Sequence, residues 1–325
     1  MRIAHVTSQL CRASAGLGVA VAAISVATAE ADNEVQVFGL SSPDWVNGDS
    51  SAWTGALPTV FDPVPWSGPV GYAPSMLEAL MEFDPDVVHL HGLWNYPAIA
   101  AYWWHRKTGR PLVVSAHGML TPVALEYSRW RKRLARWLFQ DRVLRAASVL
   151  HSTSSDEDAS YRAFGLPNRI ALIPLGVDVV PRPDVERGDT RHRLLFLGRL
   201  HHMKGIDWLI EAWTRIERDF PDWELAIVGP IESSYAREIE RLKQAAVGKR
   251  VEFTGPLHGD EKHRYVAGSD LFAMPSRSEN FGLTAAEALM LEVPVIATKG
   301  TPWSGLVDAD AGWWIEPGAP ALEEV

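Results

Sequence analysis

Two cations follow a glycine where a predicted strand ends. Gly198 closes the predicted strand Leu194–Gly198, and Arg199 and Lys204 come before the next predicted helix. Exposed amides at a helix start, together with fixed cations, suit the binding of a diphosphate. Loop arginines and lysines are also commonly plain solvated charges, and the pair alone leaves that alternative open. Its position after a strand, where α/β sheets bind ligands, makes a diphosphate site an equal alternative.

A second cluster lies between a predicted strand and a predicted helix that begins near Leu283. Gly282 lets the backbone approach a ligand, and the amides of Leu283 and Thr284 at the helix start favour an anion. Glu279 precedes the helix and is free to point towards a ligand from the loop. Glu287 lies inside the helix and can accept hydrogen bonds from vicinal hydroxyls such as those of a ribose. Glutamates at this spacing are also common on solvated helices, but the strand–loop–helix context favours binding.

Short β-rich runs alternate with helical patterns through most of the chain, which predicts parallel sheets with helices on both faces. The strands predicted in the first half are Ile3–Thr7, Val35–Gly39, Val87–Leu90, Leu112–Ala116, Val149–Ser152 and Ile170–Ile173, and its helices include Ser75–Phe83 and Tyr96–Thr108. The stretch Gly176–His192 carries Pro181, Pro183, Asp184, Gly188 and Asp189 and reads as a linker. We therefore predict two domains, residues 1–180 and 181–325.

The alternation restarts after the linker. The predicted strands are Leu194–Gly198, Glu224–Val228, Val251–Thr254, Leu271–Met274 and Val293–Ala297, and the predicted helices are Ile206–Arg218, Ser234–Ala246, a short one near Lys262, and Leu283–Met290. Ligands of such folds bind beyond the carboxyl ends of the strands, in this case in a cleft between the two domains.

Composition limits the class of protein. Hydrophobic residues make up 47% of the 325 residues and charged residues 22%, as in globular proteins, and the net charge of -9 argues against a nucleic-acid partner. The single cysteine, Cys11, rules out an intrachain disulfide and a cysteine-based zinc site. The apolar run Gly16–Ala29 follows a strand-like start and lacks the pattern of a signal peptide, so it is predicted to be a first helix. We expect a cytoplasmic protein.

The stretch Ser128–Arg145 is basic and amphipathic. Its apolar residues Trp130, Leu134, Trp137, Leu138 and Leu144 alternate with Arg129, Arg131, Lys132, Arg133, Arg136, Arg142 and Arg145. Such a helix suits peripheral contact with an anionic membrane surface, on the inner face, or with a lipid-diphosphate acceptor. It is equally typical of a domain helix whose apolar face packs on the sheet.

At this point the sequence resembles a known family, the retaining GT-B glycosyltransferases of family GT4 (glycosyl transferases group 1). The motifs that carry the resemblance are Gly198-Arg199, Lys204-Gly205, Glu-x7-Glu from Glu279 to Glu287, Ser-Glu-Asn-Phe-Gly at 278–282, Ala-Glu-Ala-Leu at 286–289, Pro-Val-Ile-Ala-Thr at 294–298 and Gly-Thr-Pro-Trp at 300–303. The resemblance covers nearly the whole chain. It implies an α/β protein of the GT-B fold, in which two Rossmann-like, doubly wound domains face a cleft.

The resemblance also implies roles for residues of the second half. Arg199 and Lys204 would hold the donor diphosphate, together with the turn at Gly198. The sugar hydroxyls would be held by Glu279 and the backbone amides of Asn280, Phe281, Gly282 and Leu283, with Thr284 at the helix start. Glu287 would hold the ribose.

The first half would supply the acceptor side. Gly16 and Gly18 open the first helix; they lack the third glycine of a dinucleotide fingerprint, and they form either a ligand-binding turn or a plain strand-to-helix turn. The resemblance puts His117, after the strand Leu112–Ala116, beside the donor sugar. His89, His91 and Trp94 would line the acceptor side. We expect no metal site, because the histidines come from different strand ends without a ligand spacing such as His-x3-His.

The resemblance implies transfer of a hexosyl unit, with retention and without a metal or other cofactor. The donor would be a UDP- or GDP-sugar, and the acceptor the hydroxyl of a sugar or lipid-linked sugar in cell-surface polysaccharide or lipopolysaccharide assembly. The alternatives are a non-catalytic nucleotide-sugar-binding partner protein and a UDP-sugar epimerase on the same fold. The chain stops at Val325, where relatives usually continue with helices that cross back to the first domain, and this raises the question of domain closure.

Overall fold

A computed structural model describes the chain except for residues 11–15, 48–49, 51–52 and 186–190. The chain divides into two compact units, Met1–Gly176 and Val177–Val325. The sequence analysis placed the division after residue 180. Val180 packs on the core of the second unit, and its N–H lies 3.4 Å from the Met290 sulfur. Cys11 and the linker residues Gly188 and Asp189 lie outside the described residues.

The first unit is built on a seven-stranded parallel sheet with strand order β3-β2-β1-β4-β5-β6-β7. Its strands are β1 (Arg2–Thr7), β2 (Glu34–Leu40), β3 (Pro58–Phe61), β4 (Val87–His91), β5 (Leu112–Ser115), β6 (Val149–Ser152) and β7 (Ile170–Leu172). Branched and apolar side chains dominate the central strands, as expected of strands covered on both faces. The register sets His5 of β1 beside His89 of β4, and His91 beside Ser115 of β5.

Eight described helices cover this sheet. They are α1 (Gly16–Glu30), α2 (Pro43–Val46), α3 (Ser75–Phe83), α4 (Tyr96–Thr108), α5 (Pro122–Glu126), α6 (Arg129–Ala135), α7 (Asp141–Ala146) and α8 (Ser155–Ala163), and a π-helical segment, Arg136–Gln140, joins α6 to α7. The small-residue run that opens the chain is α1, which buries Leu17 and Val21. Helix α4 ends where Gly109 adopts the left-handed conformation at φ 69°.

The second unit has a six-stranded parallel sheet with strand order β10-β9-β8-β11-β12-β13. Its strands are β8 (His192–Leu197), β9 (Trp223–Val228), β10 (Val251–Gly255), β11 (Leu271–Met274), β12 (Val295–Thr298) and β13 (Gly312–Ile315). Its described helices are α9 (Ile206–Ile216), α10 (Ala236–Ala245), α11 (Gly259–Ala267), α12 (Leu283–Met290), α13 (Gly305–Asp308) and α14 (Ala319–Glu323). No helix of the described residues combines the length and apolarity needed to cross a bilayer.

The alternating pattern predicted most of these elements, and the helices Ser75–Phe83, Tyr96–Thr108 and Leu283–Met290 have the predicted bounds. The strands Pro58–Phe61 and Gly312–Ile315, which lie at sheet edges, were missed. The helix expected over 128–145 forms as three consecutive helical segments, of which the middle one is π-helical.

Gly205, which precedes α9, shows how closely two loops approach in the second unit. It has φ 66°, and a Cβ built on it would lie 1.9 Å from the carbonyl oxygen of Pro275. Only glycine therefore fits at this point between the loop after β8 and the loop after β11.

Gly205→Ala is expected to lower the free energy of unfolding by about 3 kcal/mol or more, since the methyl group must displace backbone as well as adopt a left-handed conformation. Gly248→Ala is the matched control, because Gly248 has φ 76° but nothing within 4 Å of a built Cβ. We expect that control to cost about 1 kcal/mol. Urea denaturation measures both, and equal costs for the two variants would contradict the close approach.

Candidate functional site

The strand order of the second sheet reverses between β8 and β11, its two central strands. Ligands of open α/β sheets bind beyond the carboxyl ends of the strands at such a reversal. Gly198, Arg199 and Lys204 follow β8, and Glu279 follows β11. The fold therefore brings the two sequence-predicted clusters together at one edge of the sheet.

Arg199 is held by an acidic neighbour that the sequence analysis missed. One of its guanidinium nitrogens lies 2.7 Å from a carboxylate oxygen of Glu232. Glu232 belongs to the loop after β9, and its N–H donates to the carbonyl of Leu200 at 3.2 Å, while the N–H of Leu200 donates to Pro230 at 2.8 Å. These backbone bonds tie the two loops together, so the Arg199 side chain has a fixed starting position.

Lys204 and Glu279 form the centre of the site. The Lys204 ammonium forms an ion pair with the Glu279 carboxylate, and both side chains are largely buried. The Ser276 hydroxyl lies 3.4 Å from the same carboxylate, and the Glu279 N–H donates to the carbonyl of Gly300 at 2.8 Å. The loops after β8, β11 and β12 thus meet at this ion pair.

Arg277 locks the same loops from the other side, although the sequence analysis assigned it no role. Its guanidinium makes two parallel bonds to Asp207, at 2.8 and 2.6 Å, and donates to the carbonyl of His202 at 2.6 Å. It also lies 3.8 Å from the centre of the Trp208 ring. Burial by itself would raise the pKa of Asp207, but the hydrogen bonds and charge of Arg277 outweigh it, so this pKa lies below its ordinary value. An arginine directly after a strand was the available signal.

The turn into α12 exposes backbone amides. Gly282 is the residue before the helix, in the left-handed conformation at φ 84°, and no side chain caps the helix start. The residues Asn280, Phe281, Gly282, Leu283 and Thr284 form this turn. The first amides of a helix lack intrahelical partners, so this turn supplies donors and a positive dipole end to an anion.

Glu287 lies further inside α12 and is already paired. Lys262 of α11 approaches one of its carboxylate oxygens at 2.9 Å, while the other is buried and accepts no hydrogen bond within the described chain. A free buried oxygen is suited to a hydroxyl donor such as a ribose. Lys262, which the sequence placed only in a short helix, fixes this carboxylate.

In the first unit, parallel pairing brings five histidines to the carboxyl edge of the sheet. They are His5, His89, His91, His117 and His151. His5 Nδ1 lies 3.0 Å from His91 Nε2, and His91 Nδ1 lies 3.1 Å from His117 Nε2. A second chain runs from His89 through the Ser115 hydroxyl to His151, with both distances 2.7 Å. The sequence analysis named His89, His91 and His117 as candidate site residues but assigned no role to His5 or His151, and it missed both hydrogen-bonded chains.

Burial lowers the pKa of His5, His89, His91 and His117 and so keeps these four imidazoles neutral. It lowers the pKa of His5 to about 4, and burial together with the charge of His151 lowers the pKa of His117 to about 3. The pKa values of His89 and His91 lie well below the ordinary range, first through burial and then through the neighbouring histidines. The edge therefore presents uncharged imidazoles at neutral pH.

Nitrogens of His5, His89 and His91 lie within 4.8 Å of one another, a separation that a shared metal ion could span. The sequence argument against a metal considered only spacing along the chain, and sheet pairing has brought the residues together. However, the His89 and His91 rings overlap, with centroids 4.0 Å apart and planes at 33°. Both nitrogens of His91 already face other imidazoles. The geometry is that of hydrogen-bonded rings.

Helix α8 holds His117 in place. His117 has φ 51°, a conformation that costs a non-glycine residue energy and that surrounding bonds must maintain. The buried Glu157 carboxylate accepts from the Gly118 N–H at 2.8 Å, and the Tyr161 hydroxyl accepts from the Ala116 N–H at 3.0 Å. The sequence analysis missed this helix, although Ser154 three residues before Glu157 is an N-cap signal, and the Ser154 hydroxyl does accept from the Glu157 N–H.

The other predicted residues of the first unit lie at the ends of β4 and α1. The backbone N–H of Trp94 donates to the side-chain oxygen of the buried Gln140 at 2.8 Å. This bond ties the loop after β4 to the π-helical segment. Gly16 and Gly18 lie in the first turn of α1, and residues 11–15 before them are outside the described part of the chain.

Each half of the chain matches the model of a known protein family. Residues 3–176, more than half of the chain, match the glycosyl transferase 4-like domain, and residues 182–324 match glycosyl transferases group 1. The chain belongs to the glycosyl transferase 4-like family. A D-inositol 3-phosphate glycosyltransferase of Nocardioides is 32% identical over 242 residues, 65% of this chain and 52% of the relative. One of Rhodococcus jostii is 30% identical over 234 residues, 66% of this chain and 51% of the relative. The chain spans about half the length of these two curated relatives.

Solved structures resemble this glycosyltransferase chain over its full length. The HepE protein of Anabaena, solved in complex with UDP and glucose, gives a TM-score of 0.77 at 19% identity and covers 100% of this chain and 88% of its own. Sucrose-phosphate synthase from Thermosynechococcus elongatus gives 0.75 at 20%, with the same coverage. These likenesses confirm the predicted α/β fold of the GT-B type, with two Rossmann-like parallel-sheet domains.

The neutral histidines predict how the stability of this protein depends on pH. Below pH 6.5 the unfolded chain protonates histidines that stay neutral in the folded protein, so the free energy of unfolding falls as pH falls towards 4. The expected slope is about 1.4 kcal/mol per pH unit for each such histidine. Urea denaturation between pH 4.5 and pH 7.5 (about two units below to one above the ordinary histidine pKa) measures it.

His5→Leu should make this dependence shallower, because it removes one of the buried imidazoles. Val6→Ala, a neighbouring buried change on β1, should lower the free energy of unfolding by a similar amount at every pH. If His5→Leu and the wild type have the same slope, His5 does not remain neutral in the folded protein.

Proposed function

We propose that the protein is a retaining, metal-independent glycosyltransferase that moves a hexosyl unit from a nucleoside-diphosphate sugar to an acceptor hydroxyl. The observation that carries the proposal is the pairing of two cations with carboxylates beside the free helix start of α12. A site that holds Arg199 and Lys204 by exchangeable carboxylate contacts is ready to receive a diphosphate. The family membership supplies the reaction class.

The chemistry follows from where charge develops. The bond between the anomeric carbon and the diphosphate oxygen breaks, and negative charge grows on that oxygen. The acceptor oxygen forms the new bond to the anomeric carbon, and its proton passes to the departing diphosphate. Cations and helix-start amides that already face the bound diphosphate stabilise this charge without further reorganisation during the reaction, which lowers the barrier. In our proposal Arg199 and Lys204 turn from Glu232 and Glu279 to the diphosphate, so the leaving group needs no metal ion.

The released carboxylates have roles of their own. Glu279, freed from Lys204, accepts hydrogen bonds from the sugar hydroxyls, and the amides from Asn280 to Leu283 hold the rest of the sugar. The open oxygen of Glu287 accepts from the ribose while Lys262 holds the other. At the carboxyl edge of the first sheet, His117 offers a neutral imidazole to a bound sugar.

The donor and acceptor can be narrowed by experiment. HepE was solved with UDP-glucose, so this sugar nucleotide is a first donor to test, beside GDP- and ADP-sugars in a thermal-shift panel. The acceptor panel should contain D-inositol 3-phosphate, after the curated relatives, and lipid-linked sugars. Transfer to a lipid-linked sugar would fit assembly of cell-surface polysaccharide or lipopolysaccharide.

Lys204→Ala is expected to lower turnover by about a hundredfold or more, because the developing charge loses a preorganised cation. Nucleotide release from the sugar nucleotide, with and without acceptor, measures it. Lys243→Ala is the matched control, since Lys243 forms an exposed ion pair with Glu240 at 2.9 Å on α10 and should leave turnover unchanged. Near wild-type turnover of Lys204→Ala would contradict the diphosphate role.

We further propose that the basic segment 128–145 rests on an anionic lipid surface. Trp130 and Trp137 are 80% and 75% exposed, and Leu134 and Leu138 are also exposed. The segment carries seven cations and one carboxylate, Asp141. The segment packs on the core of the first unit through its later residues, the buried Gln140, Val143 and Leu144 and the partly buried Phe139. Exposed tryptophans among cations are typical of a helix that lies in a membrane interface.

The double variant Trp130→Ser, Trp137→Ser is expected to weaken binding to anionic phosphatidylglycerol vesicles by about tenfold or more. Vesicle co-sedimentation measures this. Trp313→Ser is the control, because Trp313 of the second unit is also exposed, at 44%. Binding by the double variant equal to that of the wild type would count against the membrane proposal.

A further inference from the structure

The first histidine chain ends in a nitrogen that has no partner. His5 is 1% exposed, and its Nε2 is buried with no hydrogen-bond partner among the described residues. His5 Nδ1, both nitrogens of His91 and His117 Nε2 are joined in sequence. The proposed reaction assigns no role to His5 or His91.

The hydrogen bonds that join the three neutral imidazoles can run in only two directions, because each ring has one N–H and one lone pair. Each direction, called a setting below, fixes the tautomer of every ring. If His5 donates from Nδ1, then His91 donates from Nδ1 to His117, and His117 carries its own hydrogen on Nδ1. If the chain runs the other way, His117 donates from Nε2 and its Nδ1 is bare. The hydrogen on His117 is therefore coupled to the state of His5.

The buried end of the chain distinguishes the two settings. In the first setting His5 Nε2 is a bare lone pair, and in the second it is an N–H without an acceptor. Buried donors without partners are rarer than buried acceptors without partners. The first setting is therefore favoured, with the hydrogen of His117 on Nδ1.

His117 Nδ1 is the end that substrate could use. The side chain is half-buried, and within the described chain its hydrogen bonds involve Nε2 alone. The lowered pKa of His117 rules out a charged imidazolium as donor at neutral pH, so its donor capacity depends on the tautomer.

We infer that His5 and His91 are positioning residues that fix His117 as the Nδ1–H tautomer, so that it donates a hydrogen bond from Nδ1 to a hydroxyl oxygen of a sugar bound at the carboxyl edge of the first sheet. The use of this donor on a sugar rests on the proposed function. The tautomer itself does not.

The neighbouring chain provides an internal reference. His151 Nε2 lies 2.8 Å from the carbonyl of Ile173, which only accepts, so His151 must carry its hydrogen on Nε2. Its Nδ1 then accepts from the Ser115 hydroxyl, and Ser115 in turn accepts from His89 Nε2. A carbonyl thus fixes these two tautomers, independently of His117.

Long-range ¹H–¹⁵N NMR spectra of the ligand-free full chain, labelled at histidine, test the inference without any activity. We expect a protonated-type nitrogen at His117 Nδ1 and a bare-type nitrogen at His117 Nε2 and His5 Nε2. His151 and His89 should show protonated-type Nε2. Protonated-type Nε2 at His117 would overturn the inference.

Two substitutions at one position separate tautomer control from packing. His91→Leu removes the donor, so His117 should populate both tautomers and turnover should fall about fivefold, the equivalent of one ordinary hydrogen bond. His91→Asn places an amide donor near the position of Nδ1 and should restore both the tautomer and most of the turnover. Equal turnover in the Leu and Asn variants would overturn the role of His91.

His151→Leu is the matched control, because it removes a buried imidazole of the other chain. It should leave the His117 spectrum and turnover close to those of the wild type, and a loss equal to that of His91→Leu would assign the effect to packing and overturn the inference. If no sugar nucleotide is turned over by the wild type, the proposed function fails, while the spectra still decide the tautomer.

Discussion

Every strand pairing in the described residues is parallel, and this constraint determines where chemistry can occur. Parallel strands all end at the same edge of their sheet, so residues far apart in the chain become neighbours there. Lys204 and Glu279 meet in this way in the second unit, and His5, His91 and His117 meet in the first. The residues after each strand are thus the parts of the sequence from which a site is built.

Much of the fold and the general position of the site could be predicted from sequence, because the hydrophobic periodicity of strands and helices and the residues of turns are local signals. Gly198 and Gly282 mark strand-to-helix turns that any reader of the chain can find. The partners of the site residues could not be predicted in this way. Glu232 and Lys262 carry no local pattern, and only the order of the strands brings them to Arg199 and Glu287. The hydrogen-bonded histidines could not be predicted for the same reason. The register that pairs β1, β4 and β5 depends on several segments together and cannot be inferred from any one of them.

Three cations of the candidate site in the second unit are each paired with a carboxylate. Each of the three pairs, Arg199 with Glu232, Lys204 with Glu279 and Lys262 with Glu287, is partly buried. Removal of one partner from a buried pair leaves an uncompensated charge, whereas exchange of one anion for another costs much less. An anionic ligand can therefore replace a carboxylate without leaving the cation unpaired. The bidentate bond between Arg277 and Asp207 keeps the loops fixed during such an exchange.

The π-helical segment Arg136–Gln140 has a consequence for the angular relation between two helical faces. It allows Gln140 to be buried against the Trp94 loop while Trp130 and Trp137 point to solvent. Each residue of a regular helix advances the side-chain direction by about 100°. A single deletion within this segment would restore a regular helix and rotate the tryptophan-bearing surface by that angle relative to its anchor. The extra residue of the π-helical segment thus sets the orientation of the basic segment 128–145. Deletion of one residue would change that orientation while the sheet beneath stays the same.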